Sequence, residues 1–377
     1  MSSEPVLATR SPRLIPSGRI ARGRVVVPPS KSVSHRYLNL ALLAGEPLDL
    51  ERPLLADDTR LFLAALRAAG FATDFGDDLG AVHLQPQARP AGEIQIFCGN
   101  AGTMARFLVA TLVAIPGRFC LDGTPLLRER PVGPLVEAVR ALGGEIEYLE
   151  AEGFLPLRIR GGTLGGGRVT LDAGSSSQYL SALLMAGTRA QAPIEIEVAA
   201  LASAPYVDVT LALAHEFGAR VERLDQSADS LRMAFRVEPG LTSPRRARVE
   251  GDWSAAAYPA AAAALTGGVV RLAEISRESA QGDRRFIDLL VEMGAEASWL
   301  DGELEISGDG KLRGITADLS DIPDQVPTLA ALAPFARGET TIENVPHLRI
   351  KESDRLAAMA RGLESVGAPV TELAAGL

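Results

Sequence analysis

Only two of the 377 residues are cysteine, Cys98 and Cys120, with no CxxC spacing and no histidine partner in sequence. Such a pair gives neither a zinc site nor a disulfide framework. The expectation is two free thiols in a reducing compartment and no bound metal. Aromatic residues make up just 5% of the chain, and no stretch is of low complexity. Glycine and proline stay near average usage, which excludes collagenous, disordered and coiled-coil proteins. No apolar run is long enough for a bilayer; the best candidate, Ala255 to Leu265, is short and alanine-rich. The opening stretch, MSSEPVLATRSPRLIPSGRIARG, lacks the apolar centre of a signal peptide and reads as a plain N-terminal arm. A cytoplasmic location is therefore expected, with no membrane partner. Positive charge is in deficit: the net charge is −9. That disfavours nucleic acid as a partner but not a small anionic substrate, because a local cluster of arginine and lysine overrides the global sign.

What remains, 47% hydrophobic residues over 377 positions, is ample for two domains. One pattern recurs five times. A short apolar run leads through a small-residue turn into an Ala/Leu-rich helix. A second apolar run, a second helix, a glycine and a third run follow. The openings are GRVVVPPSKS from Gly23, GEIQIFCGNAGT from Gly92, GRVTLDAGSSSQ from Gly167, RARVEGDWSAAA from Arg246 and RGITADLSDIPD from Arg313. The second helices close on ALRAAGF, VRALGGEIEY, LAHEFGARVE, LLVEMGAEAS and LESVGAPV, each with glycine where a left-handed cap belongs. Each unit thus reads strand–helix–strand–helix–strand. First helices that are Ala and Leu nearly all round belong inside; amphipathic second helices such as Arg60–Ala69 suit a surface layer. Two closed lobes of three such units would need six, so on repeat logic the chain is one unit short. The GGTLGGG run, Gly161–Gly167, is expected to be a flexible turn between strands.

In every unit, functional residue types gather at the turn before the first helix: Ser30-Lys31-Ser32, Asn100 to Thr103, Ser175 to Gln178, Asp252-Trp253-Ser254 and Asp321 to Asp324. A helix start offers free N–H groups and partial positive charge to an anion. For one turn, simple N-capping is explanation enough. Five equivalent turns point to a shared cleft. Among nearby cations, Lys31, Arg36, Arg130, Lys351 and Arg355 interrupt apolar segments and are candidates for function. Arg128 and Arg349 read as solvated charges.

The strings PPSKSVSHR, GNAGTMAR, RERPVG, SSSQYLSALLMAG, SAPYVDVT, EGDWSAAAY, QGDRRF, DIPD and LRIKESDRL occur in this order. Together they resemble the 5-enolpyruvylshikimate-3-phosphate synthase family over essentially the whole chain. The related UDP-N-acetylglucosamine enolpyruvyl transferases are a poorer match: Ser32 stands where they carry Asn, and neither cysteine fits their reactive loop. A P-loop reading fails because PPSKS lacks the preceding glycines.

The resemblance implies an α/β fold of two inside-out α/β barrel lobes. One lobe is 29–248; the other is 1–28 plus 249–377. It implies transfer of the enolpyruvyl group of phosphoenolpyruvate to the 5-hydroxyl of shikimate 3-phosphate with release of phosphate. No metal or organic cofactor is implied. The chain would act as a monomer, and its site would be of the glyphosate-binding kind. By motif position, Lys31, Asp324 and Glu352 resemble the catalytic residues, with Asp324 as base on the hydroxyl and Glu352 in proton transfer at the methylene. Lys31, Ser32, Arg36, Ser176, Ser177, Gln178, Ser203, Tyr206, Asp324, His347 and Lys351 correspond to the shikimate 3-phosphate site. Lys31, Asn100, Gly102, Arg130, Gln178, Glu352 and Arg355 correspond to the phosphoenolpyruvate site. His347 departs from the family's usual Asn. The family's Asp-His-Arg motif and a further lysine have no counterpart after Arg355. A homologue that binds shikimate 3-phosphate without turnover is the alternative reading.

Overall fold

The computed structural model describes residues 17–76, 80–224, 233–351 and 353–377, so most of the expected N-terminal arm lies outside the described residues. Two units show the repeat in its simplest form. Glu93–Phe97 and Gly117–Asp122 run parallel, joined through the helix Gly102–Ala114; Leu157–Gly161 and Glu145–Tyr148 add two antiparallel strands. Gly167–Ala173, Ile194–Leu201, Met233–Glu238 and Arg220–Leu224 repeat that order around the helix Gln178–Gly187. The expected three-strand unit therefore has a fourth strand. Its third run folds back as a hairpin, which pairs antiparallel strands without a crossover.

The first and fourth units exchange their opening strands. Arg22–Val26, expected to open the first unit, pairs parallel with Val269–Ala273 of the fourth. Arg246–Arg248, expected to open the fourth, pairs parallel with Leu48–Glu51 of the first. The chain crosses twice between two cores, and the crossings hold each other. Ser30 N–H donates to the Glu250 carbonyl at 2.9 Å and Asp252 N–H to the Pro28 carbonyl at 2.8 Å. The apolar residues split accordingly. One cluster runs from Val33 to Val249, and the other takes Val27 together with Trp253 through Leu356. In the fifth unit only Thr316–Asp318 and Thr341–Glu343 pair, around the helix Val326–Leu332. The helix Arg355–Ser365 that follows buries only Leu356 and Ala360.

The first helices of the first core are inside, as their composition demands, whereas the alanine-rich Trp253–Thr266 of the fourth unit buries only seven of its 14 residues. Twelve of the 14 residues of Lys31–Ala44 are buried, 12 of 13 in Gly102–Ala114 and nine of ten in Gln178–Gly187. The sheets wrap them, and their outer faces carry cross-strand charge pairs such as Arg158 with Glu93 and Glu147, Arg168 with Glu195, and Arg271 with Glu305. The glycines that close the second helices, Gly70, Gly143, Gly218, Gly294 and Gly367, all have positive φ, the conformation that side chains with a Cβ resist. The GGTLGGG segment does join two strands, Leu157–Gly161 and Gly167–Ala173, and several of its glycines are closely packed. A Cβ on Gly161 would collide with the Ile115 carbonyl, and one on Gly166 would sit 2.7 Å from the Ala192 carbonyl.

Candidate active site

A cleft of about 550 Å³ opens between the two cores. Its first wall is built from inner-helix starts. Ser30 caps Lys31–Ala44 through its own side chain. Ser177 stands at the start of Gln178–Gly187 without a capping hydrogen bond, so its hydroxyl is not used up by the helix. Ser176 and Ser177 are both buried, as is Ser203, and all three line the cleft. Arg36 is fully buried. Its guanidinium donates to the Thr210 hydroxyl at 2.7 Å, the Ser32 hydroxyl at 2.5 Å and the Tyr206 carbonyl at 2.8 Å. Burial lowers its pKa to about 10. An anion arriving beside it meets an oriented charge whose desolvation is already accomplished.

Arg130, Arg106 and Gln178 continue this wall. Arg106 donates to the Gln178 side-chain oxygen at 2.8 Å, and the Gln178 amide donates to the Thr103 hydroxyl at 2.8 Å. Gly102 stands directly behind Arg130: a Cβ there would lie 2.5 Å from a guanidinium nitrogen.

The second wall is more ionisable. Asp324 accepts from Arg355 at 2.7 Å on one oxygen and from the Tyr206 hydroxyl at 2.9 Å on the other. Burial pushes Lys351 down to about 8, and Arg106 is the largest of the neighbouring charges that add to the shift. Asp252 caps its helix, and Asp283 and Ser254 sit below it. The cleft lining holds six cations, Lys31, Arg36, Arg106, Arg130, Lys351 and Arg355, against Asp252, Asp283 and Asp324. A chain of net charge −9 thus presents a locally positive cleft, suited to polyanions.

Of the sequence-expected residues, the cleft lining gathers Lys31, Ser32, Arg36, Arg130, Ser176, Ser177, Gln178, Ser203, Tyr206, Asp324, Lys351 and Arg355. Three are placed differently. Asn100 is exposed and turns its side-chain oxygen to the Thr124 hydroxyl. Gly102 is buried behind Arg130 rather than on the lining. His347 is buried below Ser203, their side chains 3.5 Å apart, and burial lowers it to about 4. Glu352 lies outside the described residues. Lys31 is exposed and pairs with Asp58 at 3.4 Å, a partner that sequence reasoning did not find. Arg106 and Asp283 were missed as site residues too, whereas Asp252, named among the helix-start turns, lines the cleft. Arg106 had a signal: it is a lone cation on an otherwise apolar helix. The two cations read as solvated charges are surface pairs, Arg128 with Asp122 and Glu150, Arg349 with Asp354 and Glu372.

A family model described as EPSP synthase (3-phosphoshikimate 1-carboxyvinyltransferase) matches residues 16–377. The chain belongs to the EPSP synthase family. A 3-phosphoshikimate 1-carboxyvinyltransferase of Shewanella halifaxensis is 42% identical over 364 residues, covering 96% of this chain and 84% of that protein. One from Serratia proteamaculans is 44% identical over 359 residues, covering 94% and 82%. Among solved structures, EPSP synthase from Acinetobacter baumannii superposes with a TM-score of 0.76 at 26% identity, covering 96% of this chain and 82% of that one. The enolpyruvyl transferase NikO from Streptomyces tendae shares the fold, with a TM-score of 0.69 at 18% identity over 86% of this chain and 76% of that one. Membership of the EPSP synthase family accounts for a cleft rich in cations between two halves built alike. Among the described residues, no group of three or more His, Cys, Asp and Glu comes together to hold a metal ion, and no helix is long and apolar enough to cross a membrane.

Proposed function

We propose that this chain transfers the 1-carboxyvinyl group of phosphoenolpyruvate to the 5-hydroxyl of 3-phosphoshikimate and releases phosphate. The observation that carries this reading is family membership across residues 16–377, joined to a positive cleft with one carboxylate held on both oxygens. The enol carbon of phosphoenolpyruvate is a poor electrophile until its methylene is protonated. The reaction therefore needs anion clamps, a proton donor to carbon and a base for the attacking hydroxyl. Ser176, Ser177 and Ser203 form the cradle for the 3-phosphate, and Arg36 with Ser32 faces the ring carboxylate. Gln178, Tyr206 and Lys351 complete the shikimate side. Arg130 and Arg355 clamp phosphoenolpyruvate, and Lys31 leaves Asp58 to bridge the two substrates. Asp324 takes the hydroxyl proton. The methylene proton is assigned to Glu352 by motif alone. Asn100, Gly102 and His347 support these contacts from behind or beside the cleft wall.

The lobes proposed are 29–248 and 1–28 plus 249–377, a division supported by the split of the apolar clusters. Closure of the lobes would expel water from the site. The proposed setting is a cytoplasmic monomer acting on small anions, with glyphosate as a competitor for the phosphoenolpyruvate side. The decisive experiment is phosphate release from phosphoenolpyruvate with and without 3-phosphoshikimate. Release that depends on 3-phosphoshikimate is expected. No release, with 3-phosphoshikimate still bound in calorimetry, would make the chain a binder and not a transferase.

A further inference from the structure

Asp283 is the most deeply buried carboxylate of the cleft, 4% exposed, yet it lines the cavity. It lies in the short turn Gly282–Arg285, which belongs to the second core. A Cβ on Gly282 would come within 2.5 Å of the Pro205 side chain. Glycine is therefore what lets this turn close against the helix Pro205–Glu216 of the other core, next to Tyr206. One Asp283 oxygen accepts from the Ser254 hydroxyl at 2.6 Å and faces the Tyr206 hydroxyl at 3.4 Å. The same Tyr206 hydroxyl lies 2.9 Å from Asp324. The other Asp283 oxygen has no hydrogen-bond partner among the described residues. A buried carboxylate with an idle oxygen and a second carboxylate across one shared hydroxyl is costly as mere packing.

We infer that Asp283 is a positioning residue for Asp324: the two carboxyl groups flank the Tyr206 hydroxyl, so the ionisation of one sets the basicity of the other. This rests on the assignment of Asp324 as the base. Tyr206 has one proton to donate, and burial keeps its phenol far above its ordinary titration range, so it stays a neutral donor. When Asp283 is ionised, two carboxylates compete for that proton and repel each other, and Asp324 becomes the stronger base. When Asp283 is protonated, its own O–H turns to the tyrosine oxygen and the tyrosine proton goes wholly to Asp324, which becomes weaker. The charges facing Asp283 are Asp324 and Asp252, both of which raise its pKa; the Ser254 hydroxyl, which donates to it, and the neighbouring Gln325 side chain lower it. Burial is the largest cause, and the result is about 6. The two groups titrate as a pair.

The test uses the full chain and phosphate release across pH. Asp283→Asn removes the like charge, so the acid limb of kcat/KM moves to lower pH. Its plateau kcat falls about tenfold, short of the roughly 10²–10⁴ expected for loss of the base itself, and KM for 3-phosphoshikimate stays within about twofold. Ser254→Ala removes a donor to the Asp283 carboxylate, so the acid limb moves the opposite way, to higher pH. An acid limb unmoved in both variants, or a raised KM with unchanged kcat, overturns the inference. An infrared titration of carboxyl groups decides without turnover. The protonated-carboxyl band that titrates near pH 6 should shift to lower pH in Asp324→Asn and to higher pH in Ser254→Ala. A band indifferent to both substitutions refutes the coupling even if Asp283→Asn does not fold. Absence of phosphate release by the unmodified chain counts against the proposed function instead, and the infrared result still stands on its own.

Discussion

The two cores use the same repeat to different ends. The first, Val33 to Val249, closes three four-stranded sheets around helices buried almost all round, and lends the cleft a wall of fixed donors: Ser176, Ser177, Ser203 and the fully buried Arg36. The second pairs one four-stranded sheet with a two-stranded one, and its contribution is charged: Asp324, Asp283 and Lys351, which titrate, and Arg355, which does not. A closed core holds polar groups in register because every neighbouring atom is fixed. The ionisable groups of the second core vary more in exposure than the serines of the first. Asp324 is exposed and Asp283 buried, whereas Ser176, Ser177 and Ser203 are all buried. On the proposed function, the fixed donors of the first core only recognise, while the second core both binds, through Lys351 and Arg355, and carries the proposed base Asp324.

That division has sharp consequences. The largest effect should come from the second core: Asp324→Asn is expected to lower kcat by about 10²–10⁴ with little change in 3-phosphoshikimate affinity. A mere loss of affinity, measured by calorimetry, would erase the contrast. Next, Ser176→Ala and Ser177→Ala in the first core should each weaken 3-phosphoshikimate binding by about 1.5–3 kcal/mol, the range for hydrogen bonds to charged groups, with a pH profile unchanged in shape.

The third prediction concerns stability. Burial, then Lys31 and Arg36, lower His35 from its ordinary 6.5 to about 3. Its neutral ring packs edge-on against Phe62. A lowered histidine contributes stability that is complete above pH 6.5 and lost as pH falls toward 3, because the unfolded chain takes the proton first. The loss is about 2 kcal/mol by pH 5. Denaturant titrations should show this slope flattened in His35→Gln; an unaltered slope would mean that other groups set the acid limit of the first core.

Fourth, Lys351 titrates near 8. Affinity for 3-phosphoshikimate should therefore decline above pH 8, by at most about tenfold per pH unit. Lys351→Arg should hold it level, because guanidinium stays charged. The smallest effect belongs to the sheet faces common to both cores: Arg158→Ala, at an exposed pair screened by water, should leave both thermal stability and catalysis essentially unchanged.

Much of this was legible in the chain. The glycines closing the second helices marked the repeat because positive φ leaves few alternatives. The Ala/Leu-rich helices of the first core declared themselves internal because a helix apolar on every side has no face for water, although the alanine-rich Trp253–Thr266 is only half covered. The motif turns named most of the cleft lining. Other features were not legible. The exchanged opening strands, Arg22–Val26 and Arg246–Arg248, carry the same apolar pattern wherever they pair, so nothing local reveals the swap. The fourth strand of the first four units was missed because a hairpin return reads as continuation of the third. The tight packing behind GGTLGGG was invisible because glycine signals freedom and close approach with the same letter. Asn100 and His347 matched motif positions, but their orientation depends on Thr124 and Ser203, distant in sequence.

The sequence by itself determined the repeat, the inner and outer helices, the residue types gathered at the helix starts and the family to which the chain belongs. These follow from periodicity, backbone restriction and motif order, which are properties of neighbours along the chain. Tertiary structure alone decided which carboxylates meet. Tyr206 comes from one core and Asp283 and Asp324 from the other, and only the docking of the two cores, close where Gly282 meets Pro205, brings them to one hydroxyl. Electrostatic coupling depends on distance through space and on burial, and neither is written in local order.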